Sequence, residues 1–268
     1  MKKKVKQEDF DKHYSDLPSF ESMYEMRKWL MGMPKPFSDL FDKKTIDWIT
    51  SDLKIKKGFR ILDVGCGDGL LIKEIIERLP KEKYIIYGID ITPIQIKKAK
   101  QRLKKYKNVK IISGNALKMP FKPDFFDVVI QTEVLEHIEQ PEIIMKEMNR
   151  VLKPNGLLYL TTPNAISFNF YEFFTHKLGY PLYRIYKKKH RKTAEQYDVP
   201  LKPKRLGKIA KDSGFKVLKL NPVIVLIPAF MLKYTPRLIR KPYVKFAELM
   251  EKTPLKILGR LLVLKAQK

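Results

Sequence analysis

The chain has 268 residues, 44% hydrophobic and 11% aromatic, enough to bury the core of one large domain and too apolar for a mainly disordered chain. Its 55 Lys/Arg against 29 Asp/Glu give a net charge of +26, and the excess is lopsided: from Val151 onward there are 25 basic and 6 acidic residues. Such asymmetry suits an anionic partner (nucleic acid, anionic lipid headgroups or an acidic substrate), and a solvated lysine-rich surface fits it equally.

The predicted elements begin with helices. Phe10, Tyr14, Phe20, Met23, Tyr24, Met26, Trp29, Leu30 and Met31 form an aromatic and methionine-rich run, and Asp39 to Leu53 suits a second helix packed on a sheet. Residues 1–57 are read as an N-terminal helical extension to a domain spanning 58–268. Met1-Lys2-Lys3-Lys4 runs into Gln7-Glu8-Asp9 with no apolar stretch behind it, so no secretion signal is expected. Cys66, the only cysteine, has no intramolecular disulfide partner and fits a reducing, cytoplasmic compartment.

Ile61 to Val64 reads as a buried strand. Asp63-Val64-Gly65-Cys66-Gly67-Asp68-Gly69 then supplies three alternating glycines before a helical pattern through Leu71, Ile72, Ile75, Ile76 and Leu79. Strand, glycine turn and helix in succession place free backbone N–H groups and a positive helix end at the strand's carboxyl edge, where a nucleotide-like ligand can sit. A dinucleotide G-x-G-x-x-G would need glycine where Leu70 stands, and no Gly-Lys-Ser/Thr follows for a phosphate loop. Tyr84 to Ile89 is a second buried strand with Asp90 at its tip, a carboxylate able to accept hydrogen bonds from both hydroxyls of a ribose. A helix from Pro93 to Tyr106, strands over 108–112 and 125–130, and a helix opening at Pro141 follow. Beyond them come a fifth strand from Leu157 to Thr161, a helix and sixth strand within 201–220, and a last strand from Leu261 to Leu264.

Four stretches carry a family resemblance: D-x-G-x-G-x-G from Asp63, the run Gly114 to Phe121, Glu133-Val134-Leu135-Glu136-His137, and R-x-L-K-P-N-G from Arg150 to Gly156. Over about residues 58 to 164 the chain resembles class I S-adenosylmethionine-dependent methyltransferases, in particular the ubiquinone-biosynthesis O-methyltransferase and methyltransferase type 11 group. That resemblance implies a Rossmann-like, seven-stranded α/β fold with S-adenosylmethionine as cofactor. It assigns Asp63, Gly65, Cys66 and Gly67 to the donor loop, Asp90 with its neighbour Ile91 to the ribose, Asn115, Ala116 and Leu117 to the adenine, and Gln131 and Thr132 to the methionine half. The family usually has aspartate where Asn115 stands; an Asn carbonyl oxygen can accept the adenine amino hydrogen without charge. No general base is identified, and Glu133 and His137 are the candidates. If 133–138 were helical, Glu133, Glu136 and His137 would share a face suited to a divalent cation. Related small-RNA 2′-O-methyltransferases bind magnesium this way, but they add a downstream histidine that has no match at Glu195 to Asp198, so no metal is expected.

Two insertions, Ala165–Pro200 and Asn221–Gly259, interleave aromatic and apolar residues with lysine and arginine and are expected as helical caps over the substrate. Their apolar density favours methyl transfer to an O or C atom of a small, lipid- or quinone-like acceptor, with peripheral contact to an anionic membrane. Two alternatives stand beside this: an RNA methyltransferase using the basic cap, and a non-catalytic S-adenosylmethionine-binding interaction protein. The apolar stretch Val223 to Leu232, interrupted by Pro228, is far short of the ~20 residues that span a bilayer.

Overall fold

Seven strands form one sheet in the order β3-β2-β1-β4-β5-β7-β6. The computed structural model describes residues 20–31, 33–80, 84–167, 199–224 and 236–268. The strands are β1 (Phe59–Val64), β2 (Tyr84–Asp90), β3 (Val109–Ser113), β4 (Phe126–Thr132), β5 (Leu152–Pro163), β6 (Lys216–Val223) and β7 (Leu261–Gln267). β1 to β5 pair in parallel, while β7 runs antiparallel between β5 and β6. Chain direction reverses its order on either side of β1, which opens a crevice at the carboxyl ends of β1 and β4.

The helices are α1 (Met23–Met31), α2 (Lys35–Lys44), α3 (Ile46–Asp52), α4 (Leu70–Arg78), α5 (Pro93–Leu103), α6 (Pro141–Val151), α7 (Pro203–Asp212) and α8 (Arg237–Met250). Alternation along the strands sends successive side chains to opposite layers. Leu62 and Val64 of β1 pack with Ile144 and Met148 of α6 and Leu206 of α7, whereas Ile61 packs with Ile72 and Ile75 of α4 and Ile96 of α5. Both faces being covered, the parallel strands read as near-continuous apolar runs. A third cluster joins Phe37 and Leu40 of α2 to Ala247 of α8 and to Val223 and Leu261 at the sheet margin.

Three boundaries differ from the sequence expectation. Asp39 to Leu53 is not one helix: the backbone breaks at Thr45 (φ −117°), because Phe37 and Leu40 serve the third cluster while Ile46 and Ile49 serve the layer beside α4. β5 starts at Leu152, not Leu157, since the Lys153–Gly156 turn, with Asn155 at φ +63°, is an irregularity inside the strand and not its beginning. β7 runs on to Gln267 because it has a partner on each side. The aromatic residues Phe10 and Tyr14, the first insertion from Phe168 to Asp198, and Val225 to Thr235 of the second lie outside the described residues. Among the described residues no helix is long and apolar enough to cross a membrane.

Candidate active site

The chain leaves β1 through three glycines in the left-handed region, Gly65 (φ +74°), Gly67 (φ +51°) and Gly69 (φ +77°), a conformation other residues adopt only with strain. Each glycine has a different neighbour. A Cβ on Gly65 would lie 2.3 Å from Val134, so the loop seats directly against the segment that follows β4; one on Gly69 would strike Leu103 of α5 at 2.6 Å. At Gly67 a Cβ would meet nothing within 4 Å, and the backbone there borders open space.

The N–H groups of this loop are not the free cradle expected from the sequence. Gly65 and Cys66 both donate to the Ile89 carbonyl (2.8 and 3.1 Å), Gly69 donates to the Cys66 carbonyl (3.0 Å), and Gly67 donates to Asp90 Oδ2 (2.9 Å). They strap the end of β1 to the end of β2. What the loop presents is a close-approach surface, and a ligand without phosphates needs no more. Asp90 Oδ1 accepts from the Thr92 N–H (2.8 Å), so each carboxylate oxygen has one backbone donor and retains a lone pair for a hydroxyl; Thr92 itself makes no side-chain cap.

Asp63 is 1% exposed, and neither of its oxygens has a hydrogen-bond partner among the described residues. Burial first, and the charge of Asp90 second, push its carboxyl up to about 7. Two carboxylates stand at the carboxyl ends of adjacent strands, an arrangement complementary to a positively charged ligand. Burial, with Asp63 and Asp90 adding to it, also pushes the Cys66 thiol up; its sulfur packs where a Cβ on Gly88 would sit at 2.8 Å, so Cys66 contributes backbone to the crevice. The next residue, Asp68, is held by Arg102, whose Nη2 meets Asp68 Oδ2 at 2.6 Å and whose Nη1 donates to the Phe20 carbonyl at 2.5 Å.

Register places Asp90 opposite Ser113, so Ile91 and the Asn115–Leu117 turn emerge side by side at the same edge. Ile91 is exposed, and Ala116 and Leu117 are half-buried against the core. The Asn115 side chain is exposed, and its Oδ1 accepts from the Leu117 N–H (2.8 Å): it shapes its own turn, keeping one lone pair for an outside donor.

After β4 the expected shared helical face does not form. Glu133 has φ +53°, and only Leu135–His137 makes a 3-10 turn. The fully buried Gln131, with its amide oriented so that the oxygen faces the turn, accepts from the N–H groups of Val134 (3.2 Å) and Leu135 (2.6 Å). Glu133 Oε1 accepts from the Thr161 hydroxyl (3.1 Å) and the buried Glu136 accepts from the Thr162 hydroxyl (3.0 Å). Among the described residues no group of three His, Cys, Asp or Glu is arranged to hold a metal ion. The sequence gives Thr161, Thr162 and Arg102 no functional role. The two threonines become visible through the Thr132–Thr161 register, and Arg102 is one basic residue among many on α5.

The profile of a family described as "Methyltransferase domain" matches residues 55–214, from just before β1 to just past α7. The chain belongs to this methyltransferase-domain family. It is a methyltransferase, an enzyme that transfers a methyl group. The methyltransferase is 28% identical over 194 residues to a demethylmenaquinone methyltransferase of Geobacillus kaustophilus, covering 68% of this chain and 81% of that one. It is 31% identical over 110 residues to the Staphylococcus aureus protein of the same name, where the match takes in 41% of this chain and 45% of the relative. Among solved structures, a SAM dependent methyltransferase from Aquifex aeolicus superposes with a TM-score of 0.55 at 18% identity, covering 98% of this chain and 99% of the other. The [4+2]-cyclase SpnF superposes at 0.57 with 18% identity, covering 83% and 80%. At such identities these two establish the fold alone.

The crevice fits the donor: an open backbone at Gly67, a diol acceptor in Asp90 and an uncompensated buried carboxylate in Asp63 match a ribose and a cationic centre. Two surface hollows, of about 280 and 570 Å³, lie elsewhere, one beside α2 and β6 and one beside α7.

Proposed function

We propose that this methyltransferase methylates an O or C atom of a small, apolar, quinone- or lipid-like acceptor. The similarity to demethylmenaquinone methyltransferases supports the acceptor class, and the observation that carries the reading is the pair of carboxylates, Asp63 and Asp90, flanking the open face at Gly67. When bound, S-adenosylmethionine supplies an electrophilic methyl group on a sulfonium. The chain's own work is alignment and exclusion of water. In this reading Asp90 holds the ribose hydroxyls, Asp63 offsets the positive charge of the methionine half, Ile91, Ala116 and Leu117 border the adenine, and Asn115 offers its remaining lone pair to the adenine amino group. Gln131 acts indirectly, by fixing the turn that carries Glu133 and His137 beside the glycine loop, with Thr132 at its start. Those two side chains are the candidate proton acceptors, and the hydroxyls of Thr161 and Thr162 orient Glu133 and Glu136.

The test is incubation of the full chain with methyl-labelled donor and separate quinone, lipid, RNA and protein fractions. Label in an extractable quinone or lipid supports the reading; label in RNA alone replaces it with nucleic-acid methylation, and label nowhere despite tight donor binding replaces it with a binding role.

A further inference from the structure

The solvent-facing side of α8 is apolar. At about 100° per residue, Leu238, Ile239, Pro242, Phe246 and Leu249 fall within an arc of about 100°. Leu238 is 91% exposed, and Ile239, Phe246 and Leu249 each exceed half. The opposite side meets the protein through Ala247, Tyr243 and Val244. A helix in a soluble protein normally has this polarity reversed. The pattern continues past the helix, where Leu255 (52%) and Ile257 (46%) project from the 3-10 segment Pro254–Leu258.

Charge identifies what covers this face. Arg237, Lys241 and Lys245 are exposed along one flank of the stripe, and exposed Lys252 extends that flank beyond the helix. Neither of the segment's two acids cancels this flank: Glu248 lies beside it but is paired with Lys43, and Glu251, on the protein side, is paired with Lys44, both lysines belonging to α2. Glu251 and Lys256 also border the 280 Å³ hollow that Lys43, Lys44 and Lys219 line, so the ground behind the stripe is positive as well. An apolar arc beside a cationic flank matches the interface of an anionic bilayer, with apolar side chains among the acyl chains and lysines at the headgroups.

Topology places the stripe at the active edge. Leu261 of β7 pairs with Pro163 at the carboxyl end of β5 and with Val223 at the carboxyl end of β6, the same edge of the sheet that carries the glycine loop and Asp90. Asn164, just past β5, fastens the 3-10 segment by donating to the Ile257 and Gly259 carbonyls (2.9 and 2.7 Å). We propose that the outer face of α8 and the adjoining 3-10 segment dock the enzyme on an anionic membrane surface, bringing the donor crevice to an acceptor dissolved in the bilayer. The purpose of the docking rests on the apolar-acceptor reading; its physical basis does not.

The experiment is co-sedimentation of the full chain with vesicles of phosphatidylglycerol and phosphatidylcholine, against phosphatidylcholine alone, in low and high salt. Binding is expected to the anionic vesicles only and to weaken as salt rises. Lys241→Glu with Lys245→Glu, or Leu238→Asp with Phe246→Asp, lowers it by at least about tenfold, while donor affinity and far-ultraviolet circular dichroism stay as in the parent. Methyl transfer to a detergent-dispersed acceptor is retained in these variants, which separates a docking surface from a part of the active site. Unchanged vesicle binding in both variants overturns the proposal. So does absence of binding by the parent together with a dimer that Phe246→Asp dissociates, the signature of self-association. If the parent binds vesicles as described but methylates no apolar acceptor, the docking surface stands and the acceptor assignment falls.

Discussion

Asp63 is the residue where environment overrides intrinsic chemistry most. An unburied aspartate titrates near 4, but this one, buried beside Asp90 without a hydrogen-bond donor, titrates at about 7. Because the folded value lies above the unfolded one, the penalty of burying this group is absent below pH 4, grows between pH 4 and pH 7 and is complete above it. In the ligand-free protein it amounts to on the order of 4 kcal/mol across that window. Asp63→Asn is therefore expected to flatten the loss of stability between pH 5 and pH 8, measured by denaturant unfolding. A cationic ligand beside Asp63 favours the ionised form, so donor binding near pH 7 should release a proton, seen in calorimetry as a heat that varies with buffer ionisation enthalpy. Equal heats in phosphate and Tris would show that the charge does not face the ligand.

Between elements, one guanidinium does what the glycine loop cannot do for itself. Arg102, near the end of α5, holds the side chain and carbonyl of Asp68 and the carbonyl of Phe20, tying helix, loop and the approach to α1 together. Its planar fork serves several acceptors at once, which a lysine ammonium on a flexible stem does not reproduce. Arg102→Met is expected to cost about 2–3 kcal/mol in denaturant unfolding and to weaken donor binding several-fold, with Arg102→Lys recovering little of either. Full recovery by lysine would mean that charge alone matters there. The turn after β4 shows the complementary case: a seemingly helical E-V-L-E-H pattern is broken at Glu133 because Gln131 caps the turn from within the sheet.

For the whole molecule, the proposed donor crevice draws on the ends of β1, β2, β3 and β4, so occupancy there should stabilise the sheet as a unit. At a donor or demethylated-product concentration of about one hundred times Kd, the linkage is worth about 2.7 kcal/mol and a rise in Tm of roughly 5–10 °C. Asp90→Ala, which removes the acceptor of both the Gly67 and Thr92 N–H groups, should abolish that rise and lower the ligand-free Tm as well. A shift that survives the substitution would place the ligand elsewhere.

The chain's own order of residues determined the layers and which residues gather at the carboxyl edge of the sheet. Apolar runs of strand length, glycines where β1 must turn sharply, and acids at the tips of β1 and β2 are local signals, governed by backbone sterics and burial, and local signals survive in a linear string. Tertiary structure alone decided how the polar groups are partnered. The loop's N–H groups were committed to Ile89 and Asp90, Asn115 to its own turn, Glu133 and Glu136 to threonines of a neighbouring strand, and the apolar face of α8 to solvent. Hydrogen-bond partners and exposed faces depend on which distant segments the sheet brings together, and spacing along one segment carries no record of them.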